Sequence, residues 1–383
     1  MTLPNNSDLK HLQRVVVKVG SNVLTSSNGL NIKIVNSISQ QICRLFEKGL
    51  QVILVSSGAM AAGLKKVGLS QRPDLIASRQ AVAAVGQAGL INEYEKSFSR
   101  YNIKVAQILL TSEDLDNRER YLNARNTLNT LLSWQIIPII NENDTVMTEE
   151  IKLGDNDNLA AMITLLMDAG LLINLADIDG LYNKDPRTYP DAKLISRVAV
   201  VDNHIEQCAC KIPGPLGTGG MLSKIKAAQK VTEAGIPMII ASGARENILE
   251  KIIFSQQQKP GTYFTPRKEK LASRKCWIAY TLKQKGELII DKGAADALLK
   301  HGKSLLPSGI IEICGDFGVG APVAMKECNA SILGVGLVNY SADEIRKIRG
   351  LKSSQIKKRL GEKPYDEVIH RDNMVITANK RLN

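Results

Sequence analysis

Aromatic residues are scarce in this chain of 383 amino acids: Phe, Tyr and Trp together make up 4%. That scarcity argues against a surface built to stack unpaired nucleic-acid bases, which needs aromatic platforms along a basic groove. Cysteine is also sparse, at six residues. The one close pair, Cys208 and Cys210, lies one residue apart with no histidine at a ligand spacing, so neither a disulfide framework nor structural zinc is expected. No long apolar run occurs. The most apolar stretch, Leu131 to Ile140, is broken by Gln135 and Pro138 and falls far short of the roughly 20 residues that cross a bilayer. The first twenty residues carry Asp8, Lys10, His11 and Arg14, so no secretory signal is expected, and the chain reads as a cytoplasmic protein without a membrane segment. Acidic side chains are outnumbered, 38 against 50 basic ones, for a formal charge of +12. Such a balance favours anionic partners such as nucleotides, acidic metabolites or nucleic acid.

What is present is a soluble globular composition, 44% hydrophobic and 23% charged, long enough for two or three domains of roughly 100–200 residues. Val15 to Val19 is a β-branched run stopped at Gly20, and predicts a buried strand. Val35, Ile38, Ile42, Leu45 and Phe46 follow at helical spacing, and Val52 to Val55 is again an apolar strand. The alternation continues through helices at Leu75 to Phe98, Asp157 to Met167 and Leu222 to Ala234, and strands at Val105 to Leu110, Ile136 to Ile140, Leu171 to Leu175 and Met238 to Ala241. This pattern predicts an α/β fold with an open, mainly parallel sheet sandwiched by helices. After Phe254 the sequence turns polar and proline-containing, and beyond it short strands and turns predict a small β-rich second domain.

In such a sheet the functional loops gather at the carboxyl ends of the strands. Gly20 and Ser21, Ser56 to Gly58, Asn141 to Asp144, and Ala176 with Asp177 each directly follow an apolar strand, so all are expected on one rim. Phosphoryl transfer needs cations and amide donors where charge spreads over the moving group. Lys18 at a strand end and Lys224 at a helix start supply two cations. The turn Thr218, Gly219, Gly220, Met221, Leu222, Ser223, Lys224 feeds a helix whose first amides suit an anion. It departs from the P-loop pattern, because no glycine precedes Lys224 and no Ser or Thr follows it. The run from Gly154 to Leu159, GDNDNL, carries more acids and amides than a helix cap needs. Asp157 is placed to hold two lysines and Asn156 to bind a polar substrate. Asp144 suits an ammonium group, and the Ser57 turn suits a carboxylate. A carboxylate acceptor is already ionised at neutral pH, so no general base is required, and none of the four histidines falls in a rim motif.

Taken in order, KVGS, VSSGA, NEND, GDNDNL and TGGMLSK resemble the motifs of the glutamate 5-kinases within the amino acid kinase family. AAVGQ (Ala83 to Gln87), RERYLNARNTL (Arg118 to Leu128), GLYNKDPR (Gly180 to Arg187) and SLLPSGI (Ser304 to Ile310) extend the likeness over nearly the whole chain. The resemblance implies transfer of the γ-phosphate of ATP, with Mg2+, to the side-chain carboxylate of L-glutamate, the first step of proline biosynthesis. It implies that Lys18 and Lys224 contact the ATP phosphates and Asp157 organises them. Ser57, Asp144 and Asn156 would hold glutamate. Gly20, Ser21, Ala176, Asp177 and Thr218 to Lys224 would line the nucleotide, and no protein side chain is expected to ligate the metal. It further implies feedback inhibition by proline and a homo-oligomer, dimer or tetramer. The domain layout so implied is a kinase domain at 12–256, a linker at 257–281, a segment similar to PUA domains at 282–361 and a tail at 362–383. PUA folds elsewhere bind RNA, but this segment lacks an aromatic stacking set, and RNA is not an expected partner.

Two departures stand out. Ala176 occupies a place where such enzymes often carry threonine, and Leu222 with Ser223 varies the usual run before Lys224. Two other readings stay open at this point: the same fold acting on another acceptor, or an RNA-binding regulator with a vestigial kinase part. Lys224 is expected to be exposed, so that Lys224→Ala would abolish turnover and leave the fold intact.

Overall fold

The computed structural model describes residues 12–26, 29–146, 156–210, 220–255, 260–267, 275, 278, 282, 284–327 and 332–376. The chain forms two units, Met1–Lys270 and Leu271–Asn383.

In the first unit the described strands are β1 (Arg14–Val19), β2 (Thr25–Ser26), β3 (Gly29–Leu30), β4 (Gln51–Ser56), β5 (Val105–Leu110), β6 (Ile137–Glu142), β7 (Leu171–Ala176), β8 (Arg197–Val198), β9 (Met238–Ser242) and β10 (Thr262–Phe264). Among the described residues, eight of these join one sheet in the order β5-β6-β4-β1-β7-β9-β10-β8, while β2 and β3 pair as a hairpin. Val15, Val16, Val17 and Val19 are fully buried, because helices cover both faces and leave no side of the strand for water. Every pairing from β5 to β9 is parallel. Among the described residues of this sheet the one antiparallel step is β9 to β10, in keeping with the expectation of a mainly parallel sheet.

The described helices of this unit are α1 (Ser21–Leu24), α2 (Ile32–Glu47), α3 (Ala59–Val67), α4 (Ile76–Ser99), α5 (Ser112–Asp116), α6 (Arg118–Ser133), α7 (Asn156–Leu166), α8 (Asn203–Cys210), α9 (Met221–Glu233) and α10 (Ile248–Phe254). Helices α3 and α4 meet at backbone distance. A Cβ built on Gly63 would fall 1.8 Å from Val82 O, and one on Gly86 would fall 1.8 Å from Ala59 O. The glycines are what let the helix after Ser57 lie against α4.

Strand β1 is central, with β4 on one side and β7 on the other. The chain therefore runs outward in opposite directions from β1, and the carboxyl ends of these strands open a crevice there. Lys18 stands in register with Val55 and Asn174 at that end.

The second unit is built on its own sheet, which among the described residues has five strands: β11 (Gly286–Ile290), β12 (Ile310–Cys314), β13 (Pro322–Glu327), β14 (Ile332–Leu337) and β15 (Met374–Ile376), in the order β12-β11-β13-β14-β15. Its core includes Leu288, Ile290, Val323, Met325, Leu333, Tyr340 and Ile345. The helix Ala342–Ile348 starts on a capping box, in which Ser341 and Glu344 satisfy each other's backbone amides.

Candidate active site

Lys18 reaches the rim from β1 and Lys224 from the first turn of α9, and both end on one carboxylate. Lys18 Nζ lies 2.6 Å from Asp157 Oδ1 and Lys224 Nζ lies 3.0 Å from Asp157 Oδ2. Two further donors complete the set: Asn174 Nδ2 to Oδ1 at 2.8 Å and Ser223 Oγ to Oδ2 at 2.6 Å. Each carboxylate oxygen thus accepts from one ammonium and one neutral group. The sheet supplies both donors on one oxygen, and α9 supplies both on the other. Burial alone would push the Asp157 carboxyl up, and it is the largest single influence. The charges of Lys18 and Lys224, with hydrogen bonds from Lys18 and Ser223, outweigh it and hold the group well below the ordinary carboxylate range.

Lys224 is buried, at 7% exposure, against the expectation of an exposed side chain. The cause is its partner: Asp157 is 2% exposed, and a lysine that pairs with it must enter the interior too. Ser223 differs from the usual run at that place, yet it supplies the hydroxyl that meets Asp157.

The nucleotide-side residues of the sequence reading fall around this cluster. The Gly20 amide donates to Leu175 O at 3.0 Å, so it is spent on the sheet. A Cβ there would stand 3.7 Å from Lys18 Nζ, and glycine keeps that space open. Ser21 begins α1. Ala176 ends β7 and is buried, while exposed Asp177 accepts from Asn22 Nδ2 at 3.2 Å. Gly220 caps α9 with no side-chain cap, and the first turn from Met221 and Leu222 carries no acidic residue. The positive end of that helix is left for an anion. Thr218 and Gly219 lie outside the described residues, as do Gly154 and Asp155.

A second polar group sits beside the first. Asn156, next to Asp157 in α7, donates from Nδ2 to Ser57 Oγ and to Asn141 Oδ1, each at 3.0 Å. Its own Oδ1 is buried without a partner. Ser57 is held by a backbone bond from its amide to Val19 O at 3.1 Å, and Gly58, at φ 107°, turns the chain into α3. Asp144 opens a short 3-10 turn after β6. Burial pushes its carboxyl up to about 6, against the pull of the Arg72 guanidinium. Arg72 Nε is itself buried and unpartnered.

Sequence reasoning missed Asn174 and Arg72, and it placed Asn141 on the rim and Gln87 in a motif without giving either a role. Asn174 did leave a signal, since it is the one polar residue in the strand LLINLA. A histidine spacing was also passed over: His204 Nε2 lies 3.8 Å from Cys208 Sγ, one helical turn away. Among the described residues no group of three or more His, Cys, Asp or Glu side chains is placed to hold a metal, and no helix is long and apolar enough to cross a membrane.

The amino acid kinase family profile matches residues 13–242, and the PUA domain profile matches residues 286–360. A glutamate 5-kinase of Thermoanaerobacter sp. (strain X514) is 49% identical over 364 residues, 95% of this chain and 97% of its own length. A glutamate 5-kinase of Caldanaerobacter subterraneus subsp. tengcongensis is 50% identical over 364 residues, with the same coverage of 95% and 97%. A solved structure, carbamate kinase from Giardia lamblia bound to AMP-PNP, covers 67% of this chain and 99% of its own at 13% identity and a TM-score of 0.49. With more than half its length matched by the kinase profile and relatives at about half identity along nearly all of it, the chain belongs to the amino acid kinase family and carries a PUA domain behind the kinase part.

Proposed function

We propose that this protein transfers the γ-phosphoryl group of ATP to the side-chain carboxylate of L-glutamate, releasing ADP and L-glutamyl 5-phosphate, as the first step of proline biosynthesis. The observation that carries the reading is the pair of ammonium groups held on Asp157. Two like charges in one buried place repel each other, and the carboxylate between them offsets that repulsion. The pair then presents positive charge to the phosphates, where negative charge builds up in the transition state.

One glutamate carboxylate oxygen bonds to the γ-phosphorus while the bond from that phosphorus to the bridging oxygen of ADP breaks. The attacking carboxylate enters ionised and no proton moves, which suits a site whose motifs contain no histidine. Asp144 takes the substrate ammonium, Asn156 Oδ1 accepts from it, and Ser57 orients the acceptor. The helix end at Gly220 to Ser223, with Gly20, Ser21, Ala176 and Asp177, borders the nucleotide. Magnesium would enter with the nucleotide and would neutralise part of the phosphate charge. Asp157 already accepts from four donors and has no oxygen left for a metal. The same reading includes feedback inhibition by proline, a dimer or tetramer, and a cytoplasmic location.

The test is ADP release with hydroxylamine present, which traps an acyl phosphate as the hydroxamate. Glutamate-dependent hydroxamate, suppressed by proline, is the expected result. ADP release that ignores glutamate would defeat the reading.

A further inference from the structure

Beside the acceptor site runs a chain of side-chain amides whose direction is set by the backbone N–H and C=O of one residue, Glu142. The backbone N–H of Glu142 donates to Asn141 Oδ1 at 2.9 Å, and the backbone C=O of Glu142 accepts from Gln87 Nε2 at 3.3 Å. Asn141 Nδ2 closes the ring by donating to Gln87 Oε1 at 3.2 Å. A backbone amide cannot exchange its donor for its acceptor, so both side chains are held in one sense. Asn141 Oδ1 must face Glu142 N–H, and it is this same oxygen that accepts from Asn156 Nδ2. The other partner of Asn156, the Ser57 hydroxyl, is permissive, because it can donate as readily as it accepts. The direction of the Asn156 amide therefore follows that of Asn141, whose oxygen is fixed by the Glu142 N–H and whose N–H is held by Gln87 Oε1. Both of its N–H groups are consumed inside the protein, and its oxygen is left buried with nothing to accept from.

We infer that Gln87 is a positioning residue which, acting through Asn141, commits Asn156 to present its oxygen to the acceptor substrate, and that this direction selects acceptors bearing an N–H donor. Gln87 is 9% exposed and lies in α4, with no contact to a reacting atom. A substrate carrying an ammonium group satisfies the orphan oxygen and meets Asp144. A diacid of the same length without the amino group leaves the buried oxygen unsatisfied and half-buried Asp144 without a counter-charge. The inference rests on the proposed reaction with glutamate.

The test compares L-glutamate with glutarate, the same five-carbon diacid lacking the amino group, in the wild type, Gln87→Met and Gln87→Glu. Sites built to hydrogen-bond a substrate N–H reject the analogue lacking it by roughly ten-thousand-fold, and the wild type is expected to do so. Gln87→Met keeps the volume and loses the hydrogen bonds to Asn141 and Glu142, together with the one from Gln107 Nε2, so the glutamate-to-glutarate ratio of kcat/KM should fall about tenfold or more, with KM for ATP unchanged. The carboxyl of Gln87→Glu, protonated in that buried setting, still accepts from Asn141 and donates to Glu142 O, and the ratio should stay close to that of the wild type. A packing role predicts the reverse order, and a wild-type ratio in Gln87→Met overturns the inference. If Gln87→Met fails to fold, Asn141→Leu, which removes both the acceptor for Asn156 and the donor to Gln87, should lose the discrimination, and a wild-type ratio there overturns the inference. No hydroxamate from the wild type with glutamate would sink the reaction assignment and this inference together; an active wild type with an unmoved ratio sinks this inference alone.

Discussion

Asn174 donates its side-chain amide to Asp157 Oδ1 at 2.8 Å from the strand next to the one that carries Lys18. The opposite orientation would set an amide oxygen against an ionised carboxylate, so the direction of this amide is fixed by charge. Its cost is an acceptor, Asn174 Oδ1, left buried without a partner. In Asn174→Leu the lost bond to a charged group, worth about 1.5–3 kcal/mol, is offset by removal of an unsatisfied acceptor costing about 1–3 kcal/mol. Stability in urea should therefore change little. The Asp157 carboxylate loses a restraint, and kcat should fall about tenfold while both KM values hold. A wild-type kcat would reduce Asn174 to a bystander.

Lys224→Ala should abolish turnover and also weaken the fold. The lost ammonium is one of the cations offered to the phosphates, and removing a transition-state contact of this kind lowers kcat by a hundredfold or more. Because Lys224 is buried against Asp157, removal of its charged hydrogen bond should also cost about 1.5–3 kcal/mol in urea unfolding, well outside the ~0.5 kcal/mol of a surface change. Retained stability with lost activity would return Lys224 to the exposed position that its sequence suggests.

Much of the rim is legible in the sequence, and for one physical reason. In a parallel sheet covered on both faces the strands are almost purely apolar, so short polar clusters following them mark the loops at the carboxyl ends. Ser57 and Asp144 are marked that way, Lys18 by its place at a strand end, and Asn156 and Asp157 by the excess of acids and amides before a helix; the structure gathers Lys18 and Lys224 on the Asp157 carboxylate and sets Ser57 beside Asn156. Of what the sequence did not mark, Arg72 lies in the connection between α3 and α4, and the rest lies inside elements. Asn174 sits mid-strand, where its partner Asp157 is 17 residues away, and Gln87 lies in a long helix with no turn to mark it. The burial of Lys224 was misjudged for the same reason, since a lysine is placed by its partner and not by its neighbours in sequence. The glycine contact between α3 and α4 is equally invisible in one dimension, although Gly86 stands in the AAVGQ motif.

Asp157→Asn gives an acid-stability test with a definite sign. The folded-state carboxyl titrates below its ordinary 3.8, so the stability it contributes is complete above that value and is lost as pH falls through the lower folded value. At pH 7 the variant leaves two buried ammonium groups without their counter-charge, at a cost of about 3–5 kcal/mol. Below pH 4 the wild type loses its advantage and the variant has none to lose, so the gap in urea midpoints should narrow with acid. A gap that stays constant from pH 7 to pH 2 would mean that Asp157 is not held ionised by the lysines.

Asp144 should behave in the opposite sense. Its carboxyl is pushed up to about 6 by burial, with Arg72 pulling against the rise. The folded protein therefore keeps a proton between 3.8 and about 6 that the unfolded chain has released, and stability falls as pH rises through that window. Asp144→Asn should then be at least as stable as the wild type at pH 7, while losing glutamate affinity by roughly a hundredfold, the order expected for a hydrogen bond to a charged group. In the wild type, KM for glutamate should climb as pH drops from 7 to 5, because the protonated carboxyl no longer attracts an ammonium, and KM for ATP should not follow. Arg72→Met removes the opposing cation and should move that acid limb to higher pH. Glutamate KM values that stay flat between pH 5 and pH 7, or an Asp144→Asn protein that is less stable at neutral pH, would exclude a carboxyl held in this strained state for the sake of the substrate.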